Sequence, residues 1–113
     1  MNSQNSILRI FTSSTDKIDQ DLLYERLVVL AKRKGIAGVT VQRGIMGYGS
    51  SNKISSSRFW ELTEKLPITI EMIDKTEILE SFYEFIQDDL KKASKGLLIT
   101  LQPIEIKLHK KGV

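Results

Sequence analysis

Five small residues crowd one short stretch of the chain: Gly44, Gly47, Gly49, Ser50 and Ser51. Glycine tolerates positive φ and lets main-chain amides converge on an anion, while serine hydroxyls add donors. Arg43 stands immediately before this stretch and Arg58 beyond it. Either guanidinium can clamp a phosphate or carboxylate through paired N–H donors. Tyr48 and Trp60 add rings that can stack on a base or a partner. The chemistry indicated is recognition of a small anion. The P-loop pattern is absent, because no Lys-Ser or Lys-Thr follows the glycines at the required spacing. The same glycines also suit a turn that needs only their geometry, and the two arginines also suit surface ion pairs.

Little in the chain suggests turnover. His109 is the single histidine and sits among Lys107, Lys110 and Lys111. Acid–base or metal roles need a supporting carboxylate or further ligands, and the sequence offers none nearby. Glu61, Glu64, Glu71 and Asp74 match no metal or glycosidase constellation. Asp74-Lys75-Thr76-Glu77 instead has the spacing of a helix capping box. Cysteine is absent, which excludes disulfides and thiolate metal sites. The expectation is a protein that is not an enzyme, with no metal site and no required cofactor.

The elements that must hold this stretch can be read from periodicity. Ile7 to Thr12 is a β-rich run bounded by turn residues, hence a strand. Asp16 or Asp19 can cap the helix that follows. Leu23, Leu27, Leu30 and Ala31 recur at i, i+4, i+7 and i+8, giving an amphipathic helix to about Lys34, stopped by Gly35. Ala37 to Arg43 is a second strand, with Val39 and Val41 on one face. Ile68 to Ile73 is the third. The connection between them runs to roughly twenty residues, far beyond a hairpin loop, and such loops usually carry function. Its return leg, Arg58 to Leu66, fits either a helical face or a period-two run, and Pro67 suggests an irregular or edge position. Ile78, Leu79, Phe82, Phe85, Ile86 and Leu90 form a second helical stripe, ended by Ser94-Lys95-Gly96. Leu97 to Leu101 is a fourth strand. Ile104, Ile106 and Leu108 alternate with polar residues in a fifth. Phe11, Phe82 and Phe85 are expected to pack between helices and sheet.

The order is β-α-β-β-α-β plus a C-terminal strand, an α+β ferredoxin-like sandwich with a long loop between strands 2 and 3. All 113 residues fit one domain, with short disordered tails over 1–6 and 110–113. The charge is mild: seventeen Lys and Arg against fourteen Asp and Glu leave +3. Lys32-Arg33-Lys34 and Lys91-Lys92 fall where helix C-termini favour cations. No apolar run approaches the roughly 20 residues of a bilayer span, and residues 1–6 lack a signal-peptide pattern. A cytoplasmic protein without direct membrane insertion is expected.

At this point the residues resemble a known family. Gly47-Tyr48-Gly49 resembles the Gly-Phe-Gly that opens the T-loop of PII signal-transduction proteins. Leu66-Pro67 followed by Ile70-Glu71-Met72-Ile73 resembles their return strand. The string from Gly38 through Thr40, Val41, Arg43, Gly44, Ile45, Gly47, Tyr48 and Gly49 to Ser51 is most similar to the PII-like domain of unknown function 190. The resemblance covers residues 7 to 109. It implies a homotrimer that binds a small anionic effector, such as an adenine nucleotide, in clefts between subunits. It implies a target protein engaged through the loop, with Tyr48, Lys53 and Arg58 presented, and membrane transporters as the kind of target. Lys107 and His109 correspond to the Arg-x-Arg of the PII final strand and so join the expected ligand contacts. Ala93-Ser94-Lys95-Gly96 replaces the PII Gly-x-Gly-Lys turn. Lys and His lack the planar bidentate geometry of Arg, which points toward a smaller or less charged effector as the alternative.

Two other classes fit less well. A small phosphatase of the acylphosphatase kind needs an Arg after the first strand, where this chain has Phe11-Thr12-Ser13-Ser14. A nucleic-acid module on this fold needs aromatics in its central strands and stronger positive charge, so no nucleic-acid partner is expected. A constitutive adaptor that recognises a protein through the loop is the remaining reading.

Overall fold

The structure is a computed structural model that describes residues 4–48, 55–56, 65–93 and 96–112. β1 (Asn5–Ser13) leads through a two-residue ribbon, β2 (Lys17–Ile18) and β3 (Asp21–Leu22), into α1 (Leu23–Arg33). β4 (Gly38–Arg43) follows, then a second small ribbon of β5 (Met46–Gly47) and β6 (Ser55–Ser56). β7 (Pro67–Lys75), α2 (Thr76–Lys92) and β8 (Leu98–Ile104) complete the chain. The main sheet has the order β4-β7-β1-β8 and every pairing is antiparallel. This is the ferredoxin-like arrangement.

Strand alternation sets which side is covered. Leu8 and Ile10 of β1 and Ile68, Ile70 and Met72 of β7 point to one face and are buried. Leu23, Leu27, Leu30 and Ala31 of α1 and Leu79, Phe82 and Ile86 of α2 close over them. Each such side chain contributes about 1.5–3 kcal/mol by leaving water. Gly35 ends α1 at φ +76°, and Ile36 N–H reaches back to the Ala31 carbonyl at 3.0 Å.

Several expectations are corrected. β1 begins at Asn5, two residues before the expected start at Ile7, and Ser6 is buried. Asp16 does not cap α1. Its carboxylate accepts from Ser13 N–H at 3.0 Å and from the Thr12 hydroxyl, tightening its own turn. Asp74 does not cap α2 either. It lies in β7 and accepts from Ala37 N–H at 2.9 Å and Lys75 N–H at 2.7 Å, so it ties the start of the β4 segment to β7. Only Phe82 of the three phenylalanines is buried. Phe11 is odd-numbered in a strand whose even positions face the helices, so it faces outward. Phe85 lies on the exposed flank of α2.

Pro67 is in an interior strand but at its first position, where a missing N–H is tolerated. Pro103 lies in β8, an edge strand, for the same reason. A separate fifth strand over Ile104–Leu108 is not formed. Ile104 already pairs with Asn5, the first residue of β1, so β1 offers nothing for later residues to pair with. The segment 105–112 therefore leaves the sheet without a partner strand among the described residues.

Candidate functional site

The root of the long loop is built on Pro67. Gly44 N–H donates to the Pro67 carbonyl at 2.7 Å, fixing the chain as it leaves β4. A Cβ added at Gly44 would stand 3.2 Å from Pro67 Cβ, and one at Gly47 would stand 3.2 Å from Pro67 Cγ. Neither glycine has a positive φ, so the close approach to Pro67 is what a side chain at either position would disturb. Beyond them β5 pairs with β6, Met46 opposite Ser56 and Gly47 opposite Ser55, so the loop rises as a narrow ribbon. Ile45, Met46 and Tyr48 are all exposed, Tyr48 at 72%.

Arg43 is the last residue of β4, exposed, on the sheet edge at the same root. It pairs with Ile68, which pairs on its other side with Thr12. Arg43 and the hydroxyl turn after β1 therefore share one end of the sheet. Sequence reasoning gave that turn no place in the site. Ser14 clamps the return leg twice: its N–H donates to the Leu66 carbonyl at 2.8 Å, and its Oγ accepts from Leu66 N–H at 2.9 Å. The signal available was a run of hydroxyl residues, Thr12-Ser13-Ser14-Thr15, but only the β1–β7 pairing shows what it meets.

The expected contacts are only partly assembled within the chain. Arg43, Gly44, Gly47 and Tyr48 come together at the loop root. Gly49, Ser50, Ser51 and Arg58 lie outside the described residues, as do Lys53 and Trp60. Lys107 and His109 follow β8, which ends beside Asn5, whereas the loop root lies beside Ser13. Those two ends of β1 are separated by roughly 26 Å of extended strand. Lys107 is exposed and pairs, among the described residues, with the exposed Glu105 at 2.8 Å. No group of His, Asp and Glu that could hold a metal is present among the described residues.

The sheet face away from the helices carries a second feature. Arg9 sits at its centre, its Nε donating to Glu71 Oε2 at 2.6 Å and its Nη1 to Gln102. Around it stand Ile7, Phe11, Ile73, Leu98 and Ile104, placed on this face by the strand register. Phe11, Ile73 and Leu98 are exposed, Leu98 at 60%. Among the described residues no element covers this half-apolar face.

The fold is the one found in PII-like proteins. The chain superposes on a PII-like signaling protein from Thermus thermophilus with a TM-score of 0.61 and 21% identity, covering 90% of this chain and 89% of that one. It superposes on CPII, a nitrogen regulatory PII-like protein from Thiomonas intermedia bound to ADP, AMP and bicarbonate, with a TM-score of 0.59 and 18% identity. That match covers 86% of this chain and 84% of CPII. Residues 5–106 match domain of unknown function 190, described as an uncharacterized ACR, and the chain belongs to that family. A UPF0166 protein of Aquifex aeolicus is 35% identical over 103 residues, spanning 91% of this chain and 93% of the relative. No helix among the described residues is long and apolar enough to cross a membrane.

Proposed function

We propose that this protein is a non-enzymatic signalling regulator that acts as a homotrimer, binds a small anionic effector between subunits, and presents its long loop to a target protein. The observation that carries the reading is the separation of the expected contacts. Arg43 and the glycine root lie at one end of the sheet, and Lys107 and His109 at the other. A cleft that uses both sets must take them from different copies. The uncovered sheet face, with Phe11, Ile73 and Leu98 around the Arg9–Glu71 pair, is suited to self-association. Exposed Ile45, Met46 and Tyr48 at the loop base suit docking of a partner, for which a membrane transporter remains the candidate class. An adenine nucleotide is the first effector to test, because CPII, which shares the fold, is bound to ADP and AMP. The site residues in this reading are Arg43, Gly44, Gly47, Tyr48, Gly49, Ser50, Ser51, Arg58, Lys107 and His109. Effector binding selects one loop conformation, and no bond is made or broken.

The test is a mixing experiment. Arg43→Ala and Lys107→Ala are each expected to abolish the thermal shift given by ADP, AMP or bicarbonate. Refolding the two variants together in equal amounts then restores about one cleft in four if the residues meet across subunits, and none if they act within one chain. A monomeric species in light scattering, or no shift with any of these anions in the wild type, would overturn the reading.

A further inference from the structure

The end of the sheet opposite the loop root carries a pocket of about 400 Å³ on the helix side. It lies between the last turn of α1 and the first turns of α2, lined by Lys34, Ile36, Glu77, Ile78, Ser81, Phe82 and Phe85. Phe82 is buried and forms part of the floor. Ile78 and Phe85, both on α2, are exposed at 37% and 48%. Phe85 and Phe82 meet at a centroid distance of 6.3 Å, so the apolar lining is continuous from core to mouth.

Charge is placed at the rim of this lining. The Lys34 ammonium lies 4.1 Å from the Phe85 ring centroid and has no carboxylate partner among the described residues. Glu77 likewise has no ion pair among the described residues, with Lys34 or elsewhere. A cation and an anion with no ion pair among the described residues therefore line one apolar cavity without neutralising each other. Ser81, four residues after Glu77 on α2, adds a hydroxyl to the lining. The cavity has the size and mostly apolar lining of small-molecule sites, with a few polar groups to fix orientation.

We propose that this pocket binds a zwitterionic α-amino acid with an aromatic or branched apolar side chain. The side chain enters between Ile36, Ile78, Phe82 and Phe85. The carboxylate meets Lys34, which leaves the Phe85 ring to the ligand, and the ammonium meets Glu77. A monocarboxylate satisfies only Lys34 and a simple amine only Glu77, so the paired charges select the zwitterion. The site is independent of the loop root, which stands at the other end of β1.

The experiment is an amide NMR titration of the intact protein with L-phenylalanine and L-leucine, set against phenylacetate, phenethylamine and glycine. Saturable shifts are expected at Ile36, Ile78, Ser81 and Phe85. Lys34→Met and Glu77→Gln, both at exposed positions that leave the fold intact, each weaken binding roughly tenfold. Phenylacetate and phenethylamine bind more weakly than phenylalanine by a similar factor, and glycine does not bind. Three results would overturn the proposal: no saturable shift into the millimolar range, shifts clustered elsewhere, or phenylacetate binding as tightly as phenylalanine.

Discussion

Ser14→Ala isolates the hydroxyl that holds the return leg of the loop. The substitution removes the Oγ acceptor at 2.9 Å from Leu66 N–H and leaves the main-chain bond from Ser14 N–H to the Leu66 carbonyl. Leu66 is 3% exposed, so water reaches its orphaned N–H poorly. An unsatisfied donor in such a place costs about 1–2 kcal/mol. For a chain of 113 residues the unfolding entropy at the midpoint is about 0.24 kcal/mol/K. The expected fall in Tm is about 4–8 °C at fixed protein concentration. If the loss is spent on opening the loop root, the open population rises roughly 5- to 30-fold, and limited proteolysis after Tyr48 accelerates by the same factor. Ser14→Thr keeps the hydroxyl and should stay within about 0.5 kcal/mol of wild type. An equal loss in Ser14→Thr and Ser14→Ala, or no change in Ser14→Ala by either assay, would refute the clamp.

Four more outcomes follow from the packing. Ile70→Ala deletes a side chain with no exposure in the middle of β7, and should cost about 2–5 kcal/mol by denaturant titration with an unchanged slope. Gly44→Ala forces a methyl to 3.2 Å from the rigid Pro67 ring, for a loss of about 1–3 kcal/mol by thermal melting. Gly38→Ala has open space and no positive φ, so the same melt should show no loss or a gain of about 0.4–1 kcal/mol. Phe11→Asp places charge on the uncovered sheet face and should leave a folded monomer by light scattering and circular dichroism. A Phe11→Asp trimer would remove that face from the assembly.

Much of the fold was legible because its patterns are local. The α1 stripe and its glycine stop follow from spacing alone, and Gly35 does adopt the left-handed conformation. The alternation in β1 even contained the exposure of Phe11, which an appeal to aromatic character alone obscured. The capping assignments failed for a different reason. An Asp before a helix can satisfy any nearby N–H, and at Asp74 the winner was Ala37, which is distant in sequence. The short β2–β3 ribbon was missed because two-residue strands carry no period, although Asp19 at φ 55° marks its turn.

The loop-root residues could be named from the sequence, but their support could not. Glycine spacing pointed to Gly44 and Gly47, whereas only the β4–β7 pairing shows that both exist to clear Pro67. The separation of Lys107 and His109 from Arg43 is likewise a consequence of strand order: β8 runs antiparallel to β1 and delivers the tail to the wrong end. Sequence by itself determined which faces are apolar and where helices stop, and it nominated residues for holding an anion, because each depends on a few neighbouring side chains. Tertiary structure alone decided which of those residues share a site, since that depends on long-range pairings whose register no local pattern records.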